Sequence, residues 1–170
     1  MSLPADLLKQ AEHLARKEPR RPSQASLRRA VSAAYYALFH RLIEDAAARL
    51  VPGTHRRALR QRIARACEHG EMRRVCERFA QPAGRLPPGL QTLLSGGVPP
   101  ALQQVAATFV ELQEARHEAD YNLASSLTRT DAQRLIELAR RACSTWVTVR
   151  ECEESRVFLL AFLFFKQLQR

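Results

Sequence analysis

"SLRRAVSAAYYALFHRLIEDAAARL", Ser26 to Leu50, decides the fold. The stretch contains neither proline nor glycine and is dominated by Ala, Leu and Arg, the residues that cost a helix least. Leu27, Val31, Ala34, Tyr35, Leu38 and Leu42 recur at helical spacing as one stripe, and Ala30, Ala37, Phe39, Ile43 and Ala47 widen it past what a single buried face needs. A helix apolar over so much of its circumference belongs near the middle of a bundle. Ser23 or Ser26 can cap its start, and the Pro52-Gly53 turn follows its end.

Working outward, the neighbouring segments are helical too. "SLPADLLKQAEHLARKE", from Ser2, places Pro4 in a first turn and Leu7, Leu8, Ala11, Leu14 and Ala15 at helical spacing, and "PRRP" stops it. Residues 55–80 form a third helical region, expected to break near Gly70. Residues 81–100 hold five prolines and four glycines, which predicts a loop with one short helical turn at "LQTLL". A fourth helix is expected from Pro100, with Leu102, Val105, Phe109, Leu112 and Leu123 on its inner face. The last helix is expected to open with a capping box, Thr130 and Gln133, and to run toward the C-terminus. No strand pattern interrupts this series, so the fold class is all-α with about five main helices. A chain of 170 residues fits one domain. On this reading residues 1–22 are an N-terminal helix and 153–170 an apolar helical extension.

That extension contains "VFLLAFLFF", Val157 to Phe165, nine apolar residues without a break. A membrane-spanning helix needs about 20, so no membrane partner is expected. A helix apolar on all sides must be covered on all sides, either within the monomer or by a second copy or another protein.

The formal net charge is +10, and it comes from arginine, because Lys9, Lys17 and Lys166 are the only lysines. Arginine's planar fork suits phosphate, and a strongly positive chain meets polyanions faster. Between His55 and Arg85 stand nine arginines against three glutamates, in a belt that includes Arg56, Arg57, Arg60, Arg73 and Arg74. No aromatic residue is interleaved among its helical arginines, which favours contact with a nucleic-acid backbone over base reading. Cys67, Cys76, Cys143 and Cys152 have no C-x-x-C spacing and no secretory leader precedes them, so free thiols in the cytoplasm are expected. Cys67, His69 and Cys76 fall short of the four closely spaced ligands of a structural zinc site. Neither metal nor cofactor is expected. Phosphate-binding glycine loops, nucleophile elbows and H-E-x-x-H are all missing.

"RHEADYN", Arg116 to Asn122, gathers the remaining chemistry. Arg116 and Asp120 share one face at i, i+4, in register with Leu112 and Phe109; His117 and Tyr121 share another. In the second helix Tyr36 and His40 also lie one turn apart.

Together, "RRAVSAAYYALFHRLIEDAA" and "RHEADYN" resemble the two hallmark helices of small HEPN (higher eukaryotes and prokaryotes nucleotide-binding) domains, over about residues 26–150. The resemblance implies an antiparallel helical bundle that forms a homodimer and, in active members, a metal-independent ribonuclease or toxin. Those members carry Arg, four to six residues, then His. Arg116 matches the arginine, and Tyr121 stands where the histidine is expected. Histidine titrates near neutrality, whereas an ordinary tyrosine is only about one part in a thousand ionised at pH 7, some 4 kcal/mol behind as a base. His117 is the substitute base in the same stretch. On this resemblance Arg116 contacts phosphate, Asp120 positions it, His117 or Tyr121 lines the pocket, Tyr36 and His40 face the same groove, and the arginine belt holds flanking RNA or nucleotide. The contrasting class is a non-catalytic interaction or dimerisation subunit, for instance of a toxin–antitoxin or defence system, whose apolar tail docks an antitoxin or another complex subunit.

Overall fold

The computed structural model describes residues 2–82 and 85–168. Met1, Ala83 and Gly84 of the expected loop, and Gln169 and Arg170 of the expected tail lie outside the described residues. Regular structure among the described residues is helical throughout: α1 (Leu3–Arg16), α2 (Gln24–Leu50), α3 (Arg57–Ala66), α4 (His69–Phe79), α5 (Pro88–Leu93), α6 (Pro100–Tyr121), α7 (Arg129–Val149) and α8 (Glu153–Leu168), with one 3₁₀ turn at Thr54–Arg56.

Among the described residues eight helices stand where about five main ones are expected: the third region breaks and a short α5 forms near "LQTLL", both as expected, and the last region divides as well. The third region breaks at Cys67 and Glu68, whose backbones are extended, and not at Gly70, which lies in the first turn of α4 with open space around it. The last region divides between Val149 and Glu153, so no single helix runs to the end; Glu153 and Glu154 give α8 the acidic first turn that a helix dipole favours. The capping box of α7 also sits two residues before the expected Thr130–Gln133 pair. Thr128 Oγ1 accepts from the Asp131 amide at 3.1 Å, and the Thr128 amide donates to Asp131 Oδ2 at 2.9 Å. Aspartate does here what a search for Glu or Gln overlooks. The hydroxyl and amide of Thr128 hold the Asp131 carboxyl below its ordinary pKa. At the start of α2, Ser23 Oγ accepts the Ser26 amide and so fills the cap, while Ser26 Oγ donates to Glu18 at 2.9 Å.

The chain forms two compact units. One comprises Met1–His40 and Thr108–Ser144. In it α2 is buried almost all round from Ala30 to Phe39, as its wide apolar face predicts. Tyr35 packs on Phe109, with ring centroids 5.5 Å apart. On α1 Pro4, Ala11 and Ala15 are buried, while Leu7, Leu8 and Leu14 stay half-exposed. Arg129 clamps the segment after α1 by donating to the carbonyls of Glu18 and Pro19, and Arg140 pairs with Glu12.

The other unit comprises Arg41–Ala107 and Thr145–Arg170. Its core is built on α8, which packs on α4 and α5. Phe158 lies against Phe79 at 4.9 Å, Phe162 at 4.7 Å and Trp146 at 6.0 Å, and the Trp146 indole donates to Asp45 at 2.6 Å. The apolar tail is thus mostly covered within its own unit, although Leu160 and Phe164 remain exposed. Burial raises the Cys67 thiol to about 11 and that of Cys76 well above its ordinary value, so both stay protonated. Among the described residues no helix is long and apolar enough to cross a membrane.

Candidate functional site

Four polar residues on α2, Arg28, Ser32, Tyr36 and His40, follow one another every fourth position and therefore share a face. That face meets the C-terminal end of α6. Arg28 Nη1 donates to the carbonyls of Ala119 (2.7 Å) and Asn122 (3.1 Å), and its Nη2 donates to the Ser125 carbonyl. A guanidinium on the last carbonyls of a helix satisfies acceptors that have no intrahelical donor and complements the negative end of the dipole. The Asn122 side chain ends α6 from the other direction, its Oδ1 accepting the amides of Ala124 and Ser125. The expected inner-face residue Leu123 consequently falls beyond the helix and is 86% exposed.

One turn further along, Ser32 Oγ donates to Asp120 Oδ1 at 2.8 Å, and Asp120 Oδ2 lies 2.8 Å from Arg116 Nε. The buried Nε–H does not point at the carboxylate, so this contact is an ion pair without an aligned hydrogen bond. Arg116 Nη2 reaches the Tyr36 hydroxyl at 3.4 Å, and the guanidinium carbon stands 5.6 Å from the Tyr36 ring centre and 5.9 Å from that of Tyr35. These separations fall inside the range of cation–π attraction. Arg116 is therefore held on one side by a carboxylate and on the other by two aromatic rings, with 20% of its side chain left in solvent.

His40 stacks on Tyr36 with ring centres 6.0 Å apart, on the far side of the tyrosine in sequence from Ser32. Burial lowers its pKa, so its imidazole is neutral at physiological pH and able to accept a proton. His117 and Tyr121 occupy a different face. Both are exposed, Tyr121 by 65%, and their rings lie 4.9 Å apart. "RHEADYN" is thus two surfaces: Arg116, Ala119 and Asp120 turn toward α2, while His117, Glu118, Tyr121 and Asn122 turn to solvent.

Sequence reasoning singles out Arg116, Asp120, Tyr36 and His40, and the structure gathers the first three into one contact network with the fourth stacked on its edge. It overlooks Ser32 and Arg28. The signal for both is the four-residue repeat of polar side chains within an otherwise apolar helix.

The arginine belt lies in the other unit and is mixed in character. Arg56 and Arg57 are exposed, and α3 buries no residue at all. Arg60 instead donates to the carbonyls of Val51 (2.7 Å) and Gly53 (2.9 Å), pinning a turn in which Gly53 adopts φ +98°, a conformation that favours glycine. Arg73 pairs with Glu77 at 2.7 Å and Arg74 with Glu71 at 2.6 Å. No group of three or more His, Cys, Asp or Glu side chains among the described residues is placed to hold a metal ion.

Comparison with protein-family models, curated proteins and solved structures gives no match.

Proposed function

We propose that this chain is a HEPN-like domain that binds RNA or another nucleotide-bearing ligand through Arg116. The observation that carries this reading is the oriented, partly exposed Arg116 side chain: Asp120 and the Tyr35 and Tyr36 rings fix its guanidinium, and Ser32 fixes Asp120. Holding a guanidinium in place before a ligand arrives removes side-chain entropy that binding would otherwise cost. A phosphate oxygen at the exposed side of Arg116 receives a charge-assisted hydrogen bond, and the exposed Tyr121 ring offers an unstacked base a face to lie on. The net charge of +10 adds long-range attraction for polyanions.

Cleavage without metal is a further step that requires a base for the 2′-hydroxyl. His117, next to Arg116 on the exposed side of α6, is the residue assigned to it. The deciding measurement uses purified protein and mixed single-stranded RNA in buffer lacking divalent ions, beside Arg116→Ala and His117→Ala. Salt-sensitive RNA binding that falls about tenfold or more in Arg116→Ala is the expected outcome. Cutting that disappears in both variants identifies an endoribonuclease; binding without cutting identifies a non-catalytic module. Affinity indifferent to both salt and Arg116 rejects the reading.

A second reading, a protein-interaction or homodimerising subunit of a toxin–antitoxin or defence system, is favoured by Leu160 and Phe164, two large apolar side chains left exposed on α8. Leu160→Glu with Phe164→Glu is then expected to shift a dimer to monomer in light scattering, and an unchanged oligomer removes it.

A further inference from the structure

Three of the belt's nine arginines line one concave place. A cavity of about 640 Å³ in the second unit is lined by Arg74, Glu77, Arg78, Gln81, Arg85 and Phe165. Its volume lies within the range of small-ligand sites. We infer that this cavity is an oligophosphate-binding site, accepting the phosphate chain of a free nucleotide or the phosphate run of an RNA strand.

Charge pairing inside the unit singles out two of its three arginines. Glu77 is engaged by Arg73 at 2.7 Å, and Arg74 is engaged by Glu71 at 2.6 Å. Among the described residues Arg78 and Arg85 have no acidic partner. Both are exposed. Two guanidiniums without an acidic partner line one cavity, and a ligand with at least two negative groups can accept their forked donors. Arg74 and Arg78 follow one another at i, i+4 on α4, so they offer donors about one helical turn apart, a spacing that suits successive phosphates. Gln81 adds a neutral amide, and Phe165, buried in α8, supplies an apolar wall. Phosphate is the anion this donor set fits best, because planar arginine forks recognise its paired oxygens.

The site is independent of Arg116 and is tested separately. Isothermal titration of the full chain with tripolyphosphate, with ATP and with a short single-stranded RNA, each without divalent ions, is compared with the Arg78→Ala/Arg85→Ala double variant and with Arg78→Lys/Arg85→Lys. Both arginines are exposed, so the variants are expected to fold, and circular dichroism with a thermal melt checks this. The expected result is tripolyphosphate binding that weakens at least tenfold in the alanine pair and partly recovers in the lysine pair. Tighter binding of ATP than of RNA assigns the site to free nucleotide, and the reverse assigns it to RNA; both support an oligophosphate site. No binding of tripolyphosphate, or equal binding by wild type and the alanine pair, overturns the inference. Loss of RNA binding in Arg116→Ala with tripolyphosphate binding unaffected in the alanine pair leaves the Arg116 reading standing and this one refuted; tripolyphosphate binding lost in the alanine pair with RNA binding unaffected in Arg116→Ala does the opposite.

Discussion

The arginines of α6 and of α3 share a residue type and a charge, yet they stand in different surroundings. Arg116 is four-fifths buried, paired with Asp120 and faced by two tyrosines, so its orientation is imposed by neighbours. Arg57, on a helix that buries nothing, and Arg56, in the 3₁₀ turn before it, are both exposed, so their heads are hydrated. The difference teaches that an arginine gains specificity from what surrounds it. A cluster of solvated guanidiniums attracts polyanions at range, whereas a clamped one can select a ligand by geometry.

The sharpest way to break this contrast is to remove the clamp. Asp120→Ala leaves the mostly buried Arg116 charge uncompensated and Ser32 without its acceptor, and is expected to cost about 2–3 kcal/mol in denaturant unfolding. The double variant Asp120→Ala/Arg116→Ala should cost less than the two single changes added together; simple additivity would show that the pair is not coupled. A smaller effect separates structural from solvated arginine directly. Arg28→Ala strips a donor from the carbonyls that close α6 and is expected to cost about 1–2 kcal/mol, whereas Arg57→Ala should stay within about 0.5 kcal/mol by the same measurement. Equal costs would erase the distinction. The smallest effect is pH-dependent. Because burial depresses the folded-state pKa of His40, the unfolded chain takes up protons first, so stability is complete above the ordinary value of 6.5 and declines as the pH falls below it. His40→Gln should flatten that part of the stability profile, measured by urea unfolding between neutral and mildly acidic pH, and an unaltered slope would assign it to other groups.

Much of this is legible in the amino-acid order. The apolar width of Ser26 to Leu50 foretells a helix buried almost all round, because burial on every side requires apolar residues on every side. Pro52-Gly53 and the proline-rich stretch after Gln81 foretell interruptions, because proline lacks the donor that a continuing helix needs. Local pattern fails where the outcome depends on a partner distant in sequence. Leu123 fits the apolar period of α6, but the Asn122 side chain and the Arg28 guanidinium, 94 residues away from Asn122, end the helix before it. Thr130 and Thr128 are equally acceptable caps by type, and the reciprocal bonds with Asp131 choose between them.

What the amino-acid order settles by itself is helix content, the approximate place of each helix, an excess of guanidinium charge and the co-location of Arg116 with Asp120 on one face, because all of these follow from composition and a period of 3.6 residues. Only the tertiary structure decides that Tyr36 and Ser32 complete the surroundings of Arg116, that His117 and Tyr121 turn outward, and that α8 packs on α4 and α5. Those outcomes depend on contacts between segments dozens of residues apart, and the free energy of such contacts is set by three-dimensional packing that no local window of sequence contains.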